Sequence, residues 1–540
     1  MNSENKKLIQ KIPKEVSYVT NTLEKAGFQA YLVGGCVRDL LMDILPKDWD
    51  VTTSAKPDQI MGLFPKTVYE NNFGTVAVIQ EDVSQETLRQ IEVTPFRIEA
   101  KYSDFRHPDE IKFSDTLEDD LKRRDFTVNS LALDSKGHIT DLFDGLKDMK
   151  GKTLRAVGNP DDRFQEDALR MLRAVRFSCQ LDFSVSHETM ESILKNADLI
   201  KKISQERIHD EFVKIIMSKN PASGIVMLQK FGLLKNIIPE LEEGINCEQS
   251  GTHIYDVWDH LLHALQHAAD KNWPLEIRLS ALFHDIGKPR TRRYASVQGK
   301  AKIVDKGSKS VLEGTLGRSD GDGQRKFSAE NFRGESENTF SSQSKKKFTF
   351  YGHEVIGARM TKKIMERLKF PKKEIELVEK LVRNHMFFSD TELITLSAVR
   401  RIITKVGKDH IWELMNVREC DRVGMKKKEA PYRLRKYFAM IEEALHDPIS
   451  VGQLKINGEF MKKELGIAPG PRMGWILHAL LEEVLDAPEK NTIEKLSELV
   501  KSLDKLSDKE LKALGDKGKE KKEELEEEEI DKLHKKHGVK

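Results

Sequence analysis

The sequence predicts an α+β head followed by an all-α remainder. Over residues 1–150, strand-like runs such as Val76-Ala-Val-Ile79 and Gln90-Ile-Glu-Val-Thr94 alternate with helical segments. From Pro160 to about Val500 such runs nearly vanish. Apolar residues there recur at helical spacing, as in Asp167-Ala-Leu-Arg-Met-Leu-Arg-Ala-Val-Arg-Phe177. At 540 residues, 38% hydrophobic and 33% charged, the chain calls for several domains with real cores.

The first strand is expected in Leu32-Val-Gly-Gly-Cys-Val-Arg-Asp-Leu-Leu41, where apolar residues deliver Gly34 and Gly35 to a turn. Glycines there let backbone N–H groups approach a polyphosphate, and Arg38 adds a bidentate grip. Lys47-Asp-Trp-Asp-Val51 follows. On a strand, Asp48 and Asp50 point to one face and Trp49 to the other. Such a carboxylate pair suits Mg²⁺, a hard cation that prefers oxygen ligands and substrate phosphates. An isolated Asp-x-Asp is common on surface hairpins; joined to the glycine turn and Arg38, it reads as a nucleotide-polymerising site.

Glu92 lies in a second run, Ile91-Glu-Val-Thr-Pro-Phe-Arg97. It either completes the metal site, acts as base for an attacking hydroxyl, or is an ordinary edge-strand glutamate. In Leu121-Lys-Arg-Arg-Asp-Phe-Thr-Val-Asn-Ser130, Arg123 and Arg124 offer planar donors to phosphate or ribose. A helical reading of that segment sets Asp125 and Asn129 on one face. Glu166-Asp-Ala-Leu-Arg170, continuing to Arg173 and Arg176, reads as one helix with Asp167 beside Arg170. An aspartate accepts from an exocyclic amine and an arginine donates to a ring nitrogen. Adenine and cytosine share that edge, so one such pair can select both; a plain helical salt bridge is the simpler alternative.

Gly34-Gly-x-Val-Arg-Asp39, Asp48-x-Asp50, Arg123-Arg-Asp125, Glu166-Asp-x-x-Arg170 and Glu206-Arg-Ile-x-x-Glu211 occur in the order used by bacterial class II tRNA nucleotidyltransferases. The chain resembles these CCA-adding enzymes and their poly(A) polymerase relatives over residues 15–290 and 350–500. The resemblance implies a head of the DNA polymerase β nucleotidyltransferase type, then a helical neck, body and tail. It implies Mg²⁺ at Asp48 and Asp50 and nucleotide contacts from Gly34, Gly35, Arg38, Arg124, Asp125 and Asn129. Asp167 and Arg170 would pair with the incoming base, with Arg173 and Arg176 beside the triphosphate. The implied partners are tRNA, CTP and ATP.

A second constellation spans His260, His284-Asp285 within Leu282-Phe-His-Asp-Ile-Gly-Lys-Pro289, His353, His385 and Asp421. Imidazoles mixed with carboxylates suit divalent transition metals, and Asp285 can bridge two ions that activate a water. The set resembles the HD superfamily of metal-dependent phosphohydrolases; Mg, Mn, Ni and Fe all remain open as its metal. His263 and His267 do not match that pattern and are expected to be packing or surface groups.

The expected domains are therefore a head over 1–150, a neck over 151–245 and an HD domain over 246–430. A disordered Gly/Ser/Lys/Asp-rich insertion at 295–347 interrupts the last of these. A helical RNA-binding tail follows over 431–500, with Pro469-Gly-Pro471 opening its apolar helix. A charged, low-complexity segment ends the chain over 501–540. Tyr102 to Lys112 is expected to be a flexible loop that helps the switch from C to A. Lys426-Lys-Lys428 and Arg433-Leu-Arg-Lys436 are either RNA patches or solvated helix faces.

Lys+Arg 90 against Asp+Glu 88 confines any nucleic-acid surface to local patches. The N-terminus lacks a signal-type apolar core, and no apolar run is long enough for a membrane. Four cysteines without a CxxC pair indicate neither a disulfide framework nor a zinc ribbon; a reducing cytoplasm is expected. Poly(A) polymerase and partial CC- or A-adding enzymes share the same head residues and stay open as alternatives. So does an RNA-binding head beside HD chemistry alone.

Overall fold

The computed structural model describes residues 3–69, 74–81, 83–102, 108–249, 253–294, 348–386, 394–425, 431–447 and 450–516. The insertion at 295–347, the Lys426–Lys428 patch and residues 517–540 lie outside them. The described chain forms two compact units that divide between Ile237 and Ile238, so head and neck share the first.

The head strands are β1 (Ala30–Val33), β2 (Asp50–Thr53), β3 (Thr67–Tyr69), β4 (Val76–Ile79), β5 (Gln90–Pro95), β6 (Arg97–Tyr102), β7 (Pro108–Phe113), β8 (Leu131–Leu133) and β9 (Ile139–Asp141). Seven of them make a mixed sheet in the order β3-β4-β5-β2-β1-β8-β9. β2 and β5 run parallel, with Asp50 opposite Glu92 and Val51 opposite Val93. Glu92 therefore sits on an internal strand, not on an edge. Alternation along the strands sends Leu32, Val51, Val93 and Leu133 into one core with Val16, Val37 and Ile60 from the flanking helices.

β6 and β7 form a separate antiparallel hairpin. Residues expected in a flexible loop up to Lys112 are thus strand from Pro108 onward, because the extended segments satisfy each other's backbone groups; 103–107 lie outside the described residues.

Helices Pro160–Glu166, Leu169–Leu181, His187–Asn196, Gln205–Ile216 and Pro221–Lys230 build the neck. One parallel two-residue ladder, Thr153–Leu154 with Ser184–Val185, interrupts its helical character. Gly224 lets three of these helices close together. A Cβ there would stand 2.5 Å from Ile215 Cγ2 and 3.0 Å from Cys179 Sγ.

In the second unit, one hydrophobic core runs from Ala264 and Ala281 through Leu381, Ile403 and Ile441 to Ile476, Leu480, Leu496 and Leu511. Residues on both sides of the expected boundary at 430/431 thus share one core. Pro471 opens helix Pro471–Asp486 at its first turn, as its fixed φ favours. Residues 508–516 are not solvated tail. They form a helix whose Leu511 is fully buried, and Arg472 donates to Asp504 and pairs with Asp508. The apolar spacing of Leu511 within a Lys/Glu-rich run is a weak signal that charge patterning hides. Arg293–Tyr294 pairs antiparallel with Phe348–Thr349 at the two ends of the insertion.

Replacing Leu511 with Ala is expected to destabilise the second unit by about 2–4 kcal/mol through lost burial and a cavity. Urea unfolding of the full chain measures it; an unchanged midpoint would return 508–516 to the solvated tail.

Candidate functional site

In the head, β1 runs into Gly34 at φ +82°, and helix Gly35–Leu41 starts at the next residue. That backbone suits glycine, and the missing side chain has a second use. A Cβ on Gly34 would lie 2.8 Å from Arg124 Nη1 and 3.7 Å from Asp50 Oδ2. Arg124 and Asp50 therefore converge over a bare Cα.

Burial raises the Asp50 carboxyl, Arg124 opposes the rise, and Asp48 adds to it. Trp49 packs into the head core, and Asp48 stands exposed just before β2 rather than within it. Two oxygen-donor groups, one of them desolvated and raised by its neighbour, fit a hard divalent cation. Glu92 is the register partner of Asp50 but does not gather with both aspartates into a cluster within 4.8 Å.

Arg123 and Arg124 do not open a helix; they follow the end of helix Leu117–Lys122, where the helix dipole favours cations. Both pair with the buried Asp120, at 2.6 Å and 3.1 Å. Burial works to raise that carboxyl, and the two guanidiniums outweigh it and hold it low. Asp125 and Asn129 do not share a helical face either. A short 3₁₀ turn, Thr127–Asn129, brings the Asn129 amide to Asp125 at 3.2 Å. Asn129 also accepts from Arg38 Nη1 at 2.6 Å, and Arg38 Nε donates to Asp39 at 2.9 Å.

Asp125 further accepts from Arg173 Nε at 2.8 Å. Burial alone would raise Asp125, yet Arg173, Asn129 and Arg170 hold it down at about 2. Arg176 donates to the buried Glu211 at 2.9 Å. Burial and the neighbouring Arg173 push Arg176 down to about 10.

The expected helix from Glu166 to Arg176 is broken. Asp167 is extended (φ −140°, ψ 102°) between Pro160–Glu166 and Leu169–Leu181, so it is not a helical neighbour of Arg170. Its carboxylate caps the second helix, accepting from the Leu169 N–H at 3.0 Å. Arg207 grips it with two N–H groups, at 3.2 Å and 2.7 Å. Arg170 is held by Glu166 (2.5 Å), the Arg163 carbonyl (3.1 Å) and the Arg123 carbonyl (3.0 Å). The anchoring roles of Arg207 and Glu211 escape sequence reasoning; their signal was the Glu206-Arg-Ile-x-x-Glu211 motif.

The second unit gathers every member of the histidine-aspartate series. His260 Nε2 and His284 Nε2 stand 3.0 Å apart. His260 is 3.4 Å from both Asp285 Oδ2 and Asp421 Oδ1. On the other side, His353 Nε2 and His385 Nε2 lie 3.2 Å and 3.6 Å from Asp285 Oδ1. Asp285 thus belongs to two donor groups, one per oxygen. His284, His353 and His385 each place Nδ1 against a carbonyl three residues back (Ala281, Phe350 and Val382), at 2.9, 2.7 and 2.6 Å. That contact orients Nε2 as a ligand. The buried Nε2 atoms of His353 and His385 lack a hydrogen-bond partner, which fits a metal in their place.

Although burial opposes it, Asp285 and Asp421 push His284 up to about 10. Gly287 serves packing: its Cβ would meet the His353 carbonyl at 2.3 Å. Lys288, which the sequence reading left without a role, sits 2.5 Å from Asp285 Oδ2 and donates to Gln249. His263 stacks on Tyr255 at 4.3 Å, and His267 pairs with Glu419.

This sheet and glycine turn define a nucleotidyltransferase head, and residues 30–155 match the model of the poly A polymerase head domain. Residues 182–245 match the probable RNA and SrmB-binding site of polymerase A, and 355–500 match tRNA nucleotidyltransferase domain 2. Among similar proteins, the CCA-adding enzyme of Ligilactobacillus salivarius is 45% identical over 259 residues, 45% of this chain and 63% of the relative. That of Enterococcus faecalis is 49% identical over 213 residues, 39% of this chain and 51% of the relative. The chain thus spans between half and two thirds of the length of these two relatives.

The fold is that of the crystal structure of the Bacillus stearothermophilus CCA-adding enzyme in complex with CTP. The TM-score is 0.61 at 24% identity, covering 91% of this chain and 97% of that one. The Thermotoga maritima CCA-adding enzyme complexed with tRNA_CCA gives 0.51 at 17% identity, covering 92% and 98%. Family models, relatives and solved structures agree on the class II CCA-adding enzymes and poly(A) polymerases as the family this chain resembles. Among the described residues, no helix is long and apolar enough to cross a membrane.

The Asp125 carboxyl, at about 2 against an ordinary 3.8, contributes stability that is complete above about pH 4 and lost as pH falls through about 2. The contribution is about 2 kcal/mol. Asp125→Asn should flatten the stability of the first unit across that window, measured as urea midpoints at pH 6 and pH 3.

Proposed function

We propose that the chain is a tRNA nucleotidyltransferase that adds the 3′-terminal CCA from CTP and ATP without a nucleic-acid template. The observation that carries this reading is the convergence of Arg124 and Asp50 over Gly34, a cationic and a carboxylate wall around one backbone turn. The tRNA 3′-hydroxyl attacks the α-phosphate in line, and pyrophosphate leaves. Asp48 and Asp50 would hold divalent cations, whose chemistry when bound would be to neutralise charge at the attacking and leaving oxygens. The Gly34 N–H is taken by the Leu131 carbonyl at 3.2 Å, so Gly35, at the start of its helix, is the glycine whose N–H faces a phosphate. Arg38, Arg124, Arg173 and Arg176 hold the triphosphate, as positioning and charge dominate transfer at phosphorus. Asp125 and Asn129 fix two of those arginines. Glu92 stands as the base candidate beside Asp50. Asp167 accepts the exocyclic amine of cytosine or adenine and Arg170 donates to the ring nitrogen. Arg207 holds Asp167 in place.

In this reading the second unit is an HD-type phosphohydrolase in the same cytoplasmic enzyme. His260, His284 and Asp421 with Asp285 would hold one divalent cation, and His353 and His385 with Asp285 would hold a second. Bound cations there would supply an activated water. The buried histidine nitrogens without partners support this assignment.

The test uses tRNAs lacking all, two or one of the terminal CCA nucleotides, each labelled NTP, and sequencing of the products. Addition stopping at CCA is expected. Long A tails on general RNA would identify a poly(A) polymerase, and arrest at CC or at A alone a partial enzyme. Asp50→Ala should abolish addition and spare phosphatase activity; retained addition sinks the metal assignment. Metal retained at the histidine-aspartate site, counted by mass spectrometry with the head site disabled by Asp50→Ala, should fall from two cations per chain to one in His353→Ala and to none in Asp285→Ala. Nucleotide addition should persist when either of these two substitutions is made alone.

A further inference from the structure

Phe177 is buried in helix Leu169–Leu181, and three guanidiniums surround its ring. The Arg176 centre lies 4.1 Å from the ring centroid, Arg173 5.2 Å and Arg38 5.3 Å. Arg173 and Arg176 belong to the same helix as Phe177, but Arg38 comes from helix Gly35–Leu41 in the head. Phe126, in the Asp125–Asn129 turn, meets the ring edge-on at 5.9 Å.

Three like charges repel, and among the ion pairs of the described residues no carboxylate reaches all three: Asp39 pairs with Arg38, Asp125 with Arg173, and Glu211 with Arg176 and, at 4.0 Å, with Arg173. A further carboxylate among the three would gather them only by quenching the charge a triphosphate needs. An aromatic face attracts cations through its quadrupole while adding no net charge. An aliphatic side chain fills the same volume with no such attraction. The buried Nε of Arg176 has no hydrogen-bond partner, so this guanidinium keeps donor capacity beyond its Glu211 contact.

We propose that Phe177 is a positioning residue of the nucleotide site, its ring gathering Arg38, Arg173 and Arg176 into one triphosphate-facing cluster. The proposal rests on the nucleotidyltransferase reading of the head. All nucleotides share the triphosphate, so the effect falls equally on CTP and ATP, unlike an effect on base choice.

The experiment measures kcat and KM for CTP and ATP addition to truncated tRNA, inhibition by pyrophosphate, and the melting temperature. The variants are Phe177→Leu, Phe177→Met and Phe177→Tyr. Leu and Met are expected to raise both KM values about tenfold, with kcat changed less than about threefold and pyrophosphate inhibiting correspondingly less. Tyr, which keeps the π face, should stay within about twofold of the parent. Met keeps the volume, so it answers if Leu fails to fold. Unchanged KM in Leu and Met, or equal loss in Tyr, overturns the role of the ring while the parent still adds nucleotides. A parent that adds none overturns the underlying reading as well.

Discussion

The ion pair between the buried Asp125 and the partly exposed Arg173 is the constraint on which the first unit's site depends. Asp125 accepts from Arg173, from the Phe126 N–H at 2.8 Å and from Asn129, and Asn129 in turn holds Arg38. One carboxylate thereby ties together the helix after Gly34, the turn after Arg124 and the neck arginine Arg173. Removing Arg173 would leave the buried Asp125 charge without its main partner, which is why the pair holds the site's geometry. The site's cations are thus fixed before any ligand arrives, so little has to reorganise when charge develops.

The two centres solve opposite electrostatic problems. The head concentrates guanidiniums around a strand end and leaves Asp48 exposed, a surface built to receive an anion together with its counter-cation. The second unit buries imidazoles and carboxylates against one another. Three of its histidines, His284, His353 and His385, are aimed by the carbonyl three residues earlier, a contact available wherever a helix frays or begins. Both centres use glycine for close approach rather than flexibility: Gly34 beneath Arg124, and Gly287 against the start of helix His353–Arg367.

Local pattern made much of this legible. Val76–Ile79 and Gln90–Thr94 lie in β4 and β5, and the Gly34 turn follows its strand as the apolar run implies. The members of the His-Asp series, scattered along the chain, are legible through a recognisable motif, and they do meet in the second unit. What stayed hidden is set by tertiary pairing. Periodicity alone ran one helix through Asp167, because nothing local reveals that Arg207, on another helix, favours an extended break. Asp125 and Asn129 do meet, but through a 3₁₀ turn that spacing of four cannot tell from an α-helix. Phe177 shows in the sequence only as the last residue of a helical apolar pattern, since its three cations come from two helices far apart in sequence.

Arg293–Tyr294 and Phe348–Thr349 lie side by side, joining the ends of a long polar stretch just after His284-Asp285 and just before His353. That two-residue clasp fixes where the chain leaves and re-enters the second unit between His284 and His353. Evolutionary drift in that stretch is therefore insulated from the spacing of His284 and His353, and the metal-type cluster tolerates a variable neighbour without any compensating change of its own.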